Sequence, residues 1–324
     1  MKMKMKKVLS IGLCLLIFAL MALGSGSSDS KGKKDVAVAT DSGTNTGNAE
    51  AGSTQTNDNA GTTSTGAGNT NASSSESSIT IEEQVLVDQD GIKITATGYE
   101  TDSIWGEGIK LLIENNNSKD YTIGCDALIV NDYMISDLFA ATVAAGKKAT
   151  ETMHLYSSEL RAAGIDNVGK VEMYFHAYDD DTYDYIFSKV YSEVHTSEFA
   201  NMDTTADDSG TELYNANGIR IIGKTVDEDS FWGMAILLFC ENNSGRNISI
   251  HVDDMSINGY MMTPYLASTL YNGKKAIDDI TIMSSDLESS GVTTIEEAEL
   301  KFRITDEDTY ETIVETDPVK FSAK

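Results

Sequence analysis

The sequence predicts an all-β chain built from two consecutive copies of one β-sandwich domain, and three observations predict it. The first is a long internal repeat. Asp102-Ser103-Ile104-Trp105-Gly106 returns as Asp229-Ser230-Phe231-Trp232-Gly233, an offset of 232 − 105 = 127. The second is a succession of short runs rich in β-branched, aromatic or alternating apolar residues. The third is the near absence of helical periodicity.

The repeat holds one offset without a gap from Gly91 to Ile186. Asp90-Gly91-Ile92-Lys93-Ile94 recurs as Asn217-Gly218-Ile219-Arg220-Ile221, and Glu114-Asn115-Asn116 as Glu241-Asn242-Asn243. Gly146-Lys147-Lys148-Ala149 recurs as Gly273-Lys274-Lys275-Ala276, and Ser157-Ser158-Glu159-Leu160 as Ser284-Ser285-Asp286-Leu287. A period this long is a whole domain, not a solenoid unit. The two copies are assigned to residues 81–196 and 212–324, with a linker at 197–211.

Within the first copy, strands are expected over 92–99, 109–114, 121–130, 133–139, 149–156, 168–178 and 183–194. In the second copy Asn258-Gly259 lies between apolar runs, a strong signal for a two-residue hairpin; Asn131-Asp132 is its weaker twin. Residues 157–163 predict one helical turn ended by Gly164. Seven or eight strands in a domain of this size indicate an immunoglobulin-like sandwich, with a small closed barrel as the alternative.

Two cysteines fall in the repeats. Cys125 corresponds to Val252 and Cys240 to Ile113, so each replaces an apolar strand residue and is expected as a buried thiol. A bridge between them would require two separate cores to open toward each other.

Residues 1–24 read as a secretory signal peptide: a basic start, an apolar run from Val8 to Leu23, then Ala22-Leu23-Gly24 before Ser25. The competing reading is an uncleaved anchor, although the run falls just short of the roughly 17–25 residues a spanning helix needs. Leu20-Met21-Ala22-Leu23-Gly24-Ser25 resembles the lipobox of Gram-positive lipoproteins, with Ser25 where that family has its lipid-modified Cys. A serine cannot form the thioether, so the resemblance implies ancestry without lipid attachment. Residues 25–80 are a stalk rich in Gly, Ser, Thr and Asn, expected to be disordered because it lacks apolar surface to bury. Its mean span is roughly 40 Å.

The formal charge is −27. Cleavage after Gly24 would remove four Lys and leave 20 − 51 = −31. Such a surface excludes nucleic acid and repels anionic lipid. The expected location is extracytoplasmic, secreted or held at the cell surface, with membrane contact only through an uncleaved leader.

The run Trp105 to Asn116, the Val130-to-Met134 run and Ala144 to Lys148 resemble a family of immunoglobulin-like domains in secreted proteins and lipoproteins of anaerobic Gram-positive gut bacteria. The resemblance implies a fold and a location, and no chemistry.

A site shared by both copies must appear in both. His154, His176, His195 and His251 align with Thr281, Arg303, Ser322 and Gly124, so no shared His-based metal site or nucleophile is expected. Acidic groups do recur. Asp179, Asp181 and Asp184 align with Asp306, Asp308 and Glu311, and Asp102 with Asp229. Clustered carboxylates suit Ca²⁺, yet the run lacks the Gly of an EF-hand loop, and a chain this acidic produces acidic turns by composition. Solvated turns are the favoured reading and no cofactor is assigned. Trp105 and Trp232 are read first as closing the sandwich core and second as ligand anchors. Lys147-Lys148 and Lys274-Lys275 are read first as solvated turn lysines and second as contacts to an anionic wall polymer. The resulting expectation is a non-enzymatic binding or adhesion module that grips a cell-wall polymer, glycan or envelope protein. A structural spacer or accessory subunit is the alternative, and an extracytoplasmic hydrolase a minor one.

Overall fold

A computed structural model describes residues 79–101, 106–136 and 138–323. The segment expected as a signal peptide, most of the one expected as a stalk, Asp102 and Trp105 lie outside the described residues. The first copy contains β1 (Gln84–Gln89), β2 (Ile92–Glu100), β3 (Gly106–Asn115), β4 (Tyr121–Val130), β5 (Tyr133–Ile135), β6 (Ala140–Val143), β7 (Lys148–Tyr156), α1 (Ser157–Ala162), β8 (Lys170–Asp179) and β9 (Tyr185–His195). A 3-10 turn at Phe199–Asn201 leads into the second copy. That copy contains β10 (Thr211–Ala216), β11 (Ile219–Ser230), β12 (Gly233–Asn242), β13 (Ile248–Ile257), β14 (Tyr260–Met261), β15 (Pro264–Tyr265) and β16 (Ala267–Leu270). It ends with β17 (Lys274–Met283), α2 (Ser284–Ser290), β18 (Glu297–Asp306), β19 (Thr312–Glu315) and β20 (Val319–Ser322).

The repeat is visible residue by residue. Ile92, Ile94 and Ala96 alternate along β2 and are fully buried, as Ile219 and Ile221 are along β11. Ile92 lies opposite Asn115 and Ile219 opposite Asn242. The β1–β2 and β10–β11 hairpins close through Asp90-Gly91 and Asn217-Gly218, all four at positive φ. That twist matches the strands they join. Both hairpins even carry the same bulge, between Val85 and Val87 and between Glu212 and Tyr214.

Each copy is a sandwich. In the first, the sheet β1-β2-β3-β7 packs on β4, β5, β6, β8 and β9; in the second, β10-β11-β12-β17 packs on a sheet built on β13 and β18. Neither closes into a barrel. Cys125 sits in the first core and Cys240 in the second, both buried and outside any disulfide. Burial pushes the Cys240 thiol well above its ordinary value, so it is unreactive.

The stretch 133–139, expected as one strand, is instead broken. β5 covers Leu128–Val130 of β4, and β6 covers Tyr121–Gly124 of the same strand. The ten-residue β4 thus carries one short partner at each of its ends. β1 was not among the expected strands.

The two copies are also fused. β5 of the first pairs parallel with β17 of the second, Tyr133 opposite Lys275 and Met134 opposite Ala276. One ten-stranded sheet therefore runs through both copies, and both belong to one compact unit.

Candidate functional site

The joint between the copies explains where their sequences diverge. β4 is buried on nearly all positions, whereas its twin β13 alternates as a half-exposed strand does. Ala127 and Ile129 form a small apolar cluster with Tyr271, and Tyr174 meets Tyr271 edge-on at 4.8 Å. Ile222 and Phe239 of the second copy pack into the first copy's core. The twins of Ala127, Ile129 and Ile222 are Asp254, Ser256 and Thr95. Apolar residues therefore stand where the copies touch; of their polar twins Asp254 is exposed, Ser256 half-exposed and Thr95 buried within its own copy.

The polar half of the joint centres on Lys274. Its Nζ lies 2.9 Å from Asp132 Oδ1 and 2.5 Å from Glu172 Oε2. Lys170 Nζ reaches the same two carboxylates at 2.9 and 2.6 Å. Glu172 is only 3% exposed. The neighbouring Lys275 donates its backbone N–H to Asp132 O at 2.9 Å and its Nζ to Thr204 O at 2.6 Å. Its ammonium also lies 5.4 Å from the centre of the Tyr133 ring. Burial would raise the Asp132 carboxyl, but hydrogen bonds from Lys170 and Lys274 outweigh it and hold the group below the usual carboxylate range. These contacts also support Asp132 at φ 69°, a backbone conformation unfavourable for a residue with a side chain. Its twin is Gly259. Lys274 and Lys275 are thus not the solvated turn lysines expected from sequence; the first copy covers them. Lys147 is exposed, as is Lys148, which pairs with Glu114 in its own sheet.

Replacing Glu172 with Gln should cost about 3 kcal/mol, because two partly buried lysines then share a single carboxylate. Glu299→Gln, at the half-exposed twin position, should cost less than about 0.5 kcal/mol. Urea midpoints of the two variants give the comparison, and equal shifts would contradict the assigned role.

The recurring acidic loops are turn closures. Asp179 Oδ1 accepts the backbone N–H groups of Asp181 (3.0 Å) and Thr182 (3.3 Å). Asp306 Oδ1 accepts those of Asp308 and Thr309, both at 3.0 Å. Lys119 lies 2.5 Å from Asp179, and Arg246 3.2 Å from Asp306. The Lys119 ammonium, followed by the turn amides, holds the Asp179 carboxyl below its ordinary range. The amide of Thr309, followed by that of Asp308 and the charge of Arg246, does the same for Asp306. Asp181, Asp184 and Glu311 are exposed, and Asp308 pairs with Lys189 of the first copy. Asp229 is exposed beside a hairpin tip. Among the described residues, no three His, Cys, Asp or Glu side chains are grouped to hold a metal ion.

Trp232 is partly buried at the tip of the β11–β12 hairpin. Its carbonyl accepts the Ser284 N–H at 2.9 Å and the Ser284 hydroxyl at 3.1 Å. The repeated Trp-Gly and Ser-Ser motifs therefore meet in space, one closing on the other. A Cβ on Gly233 would stand 2.0 Å from the Ile282 carbonyl oxygen, so only glycine fits there. Phe231, 73% exposed, lies edge-on to Trp232 at 4.8 Å. Sequence reasoning passed over Phe231 because its twin is Ile104.

A second feature that sequence reasoning missed is the outer edge of β7. In the second copy, β5 and β15 cover the equivalent edge of β17. Among the described residues, β7 pairs only with β3. Lys147 O accepts from Asn115 N, so odd-numbered residues of β7 bond inward to β3. Lys148, Thr150, Thr152 and His154 present their backbone groups outward. A cleft of about 490 Å³ borders this edge, with Leu138, Phe139 and Ala140 on its far wall. The Nδ1 atom of His154 is buried there without a hydrogen-bond partner among the described residues.

No family model matches this chain, and no curated protein matches it. Among solved structures it is similar to the YadV chaperone, at 10% identity over 72% of this chain and 99% of that one, with a TM-score of 0.23. It is also similar to a protein of unknown function from Porphyromonas gingivalis W83, at 8% identity over 67% of this chain and 89% of that one, TM-score 0.18. A third similarity is to the exo-β-D-glucosaminidase CsxA, at 14% identity over 63% of this chain and 25% of that one, TM-score 0.21. Superpositions this loose assign neither ligand nor activity.

Proposed function

We propose that this chain is a non-enzymatic, exported binding protein of the cell envelope whose recognition surface is the open edge of β7. The observation that supports the reading is a strand edge left unpaired among the described residues beside a cleft, where β5 and β15 cover the equivalent edge of β17. An uncovered edge is a template for strand addition: main-chain hydrogen bonds supply affinity and the adjoining cleft supplies selectivity. The ligand class is an extended peptide segment of an envelope protein. The leader and stalk motivate the location. The absence of any His shared by the copies motivates the non-enzymatic reading.

A second reading, a rigid spacer or accessory subunit, is favoured by the sheet that runs unbroken through both copies. Thr150→Pro separates the two. It removes one outward N–H without breaking the β3–β7 ladder. The full chain should be retained by an envelope fraction of its producer, and the Thr150→Pro chain should lose at least roughly tenfold of that retention at an unchanged melting temperature. Equal retention of both chains, or retention of neither, would favour the spacer.

A further inference from the structure

We infer that the chain associates head to tail with a second copy of itself, the β14 edge of one molecule adding to the β7 edge of the next. The inference rests on the strand-addition reading of β7 and names its partner.

The contact already exists once inside the chain, as β5 on β17. The offset of 127 carries Lys274, Lys275 and Glu172 onto exposed or half-exposed positions of the other copy, while Asp132 becomes Gly259 and Lys170 becomes Glu297. At one end Lys147 and Lys148 stand in place of Lys274 and Lys275, beside a β7 edge that no described strand covers. At the other end Tyr260 and Met261 stand in place of Tyr133 and Met134. They are 54% and 71% exposed, whereas Tyr133 is 2% exposed. β14 pairs with β13 alone among the described residues. Glu299 stands in place of Glu172 and is half-exposed, paired with Lys320 at 3.2 Å.

The ends are complementary in charge and hydrogen bonding. Docked as β5 docks on β17, the second molecule brings Glu299 to Lys147, the Tyr260 ring to Lys148, and the Gly259 carbonyl to the outward N–H of Lys148. Donor and acceptor surfaces lie on different copies of the repeat, so the contact is heterologous and continues from molecule to molecule. The apolar half of the internal joint is not duplicated, since Thr95 replaces Ile222 and Ser256 replaces Ile129. The association is therefore reversible and weakened by salt, not permanent.

Charge exchange tests it. Sedimentation velocity of the full chain at low ionic strength should show mass rising with concentration. Lys147→Glu and Glu299→Lys, each alone, should weaken self-association at least roughly tenfold by setting like charges opposite each other. An equimolar mixture of the two variants should restore it, because Glu at 147 then meets Lys at 299. Both sites are exposed or half-exposed, and unchanged melting temperatures exclude misfolding. A chain that stays monomeric at every concentration, or variants that associate like the parent, would overturn the inference. If Thr150→Pro still abolishes envelope retention in that case, the binding reading stands and only the partner is wrong. If the charge exchange succeeds while envelope retention ignores Thr150→Pro, the edge serves self-assembly and the envelope-ligand reading fails.

Discussion

Replacing Asn242 with Ala should destabilise the chain by about 4 kcal/mol, because each buried group left unpaired costs roughly 1–3 kcal/mol. Asn242 is fully buried where β12 ends. Its Nδ2 donates to Arg246 O at 2.9 Å and to Leu270 O at 2.8 Å. Its Oδ1 accepts from the Ser244 N–H at 3.0 Å and the Ser244 hydroxyl at 2.7 Å. One side chain thus closes the β12–β13 turn and ties it to β16. Alanine fills part of the space and satisfies none of these groups. Asp at the same position should be no better, since a carboxylate donates to neither carbonyl. Asn115 repeats the arrangement, donating to Lys119 O and Val143 O at 2.8 Å each and accepting from Asn117 N at 3.0 Å. Asn115→Ala should therefore cost a similar amount. Urea midpoints decide it, and a loss under about 1 kcal/mol at either site would mean that water replaces the side chain.

The second large effect concerns pH. Asp278 lies on the inward side of β17, between Ala276 and Ile280 and opposite the fully buried Leu238. Burial is the main cause that pushes its carboxyl up to about 7 from 3.8, and the neighbouring charges of Asp279 and Glu159 add to the rise. Near pH 4 and below, folded and unfolded chains both hold the proton and the group costs nothing. Between about pH 4 and 7 the unfolded chain releases it while the folded chain retains it, so stability falls by about 1.4 kcal/mol per pH unit. The loss is complete once pH passes the folded value, and reaches roughly 4 kcal/mol. Asp278→Asn removes this term. It should stabilise the chain by about 3 kcal/mol at pH 8 and change little at pH 4.5. Denaturation at the two pH values measures the difference; a variant that keeps the parent's pH slope would show that Asp278 is not its source.

Much of the fold is legible because it rests on local chemistry. Asn258-Gly259 specifies a hairpin through two residues tolerant of positive φ, and the structure closes β13 onto β14 there. Apolar alternation marks the strands, and Gly164 ends the helical turn. The recurring Asn115 and Asn242 were legible only as markers of the repeat. Their role depends on carbonyls at 143 and 270, which only the folded chain brings to them. Asp179 and Asp306 read as an acidic pattern open to calcium, while the fold supplies turn amides and a cation to each.

The sequence by itself determined an all-β sandwich written twice, since periodicity, turn residues and a constant offset are properties of neighbours along the chain. Only the tertiary structure decided that the copies share one continuous sheet. It also decided which copy of a repeated motif is buried. Gly-Lys-Lys-Ala is identical in both copies, yet Lys274 is enclosed by Asp132, Lys170 and Glu172 while Lys147 faces solvent. The physical reason is that burial and electrostatic pairing belong to surfaces that meet in space. The partner surface lies 142 positions away in the chain for Lys274 and Asp132, beyond the reach of any local pattern.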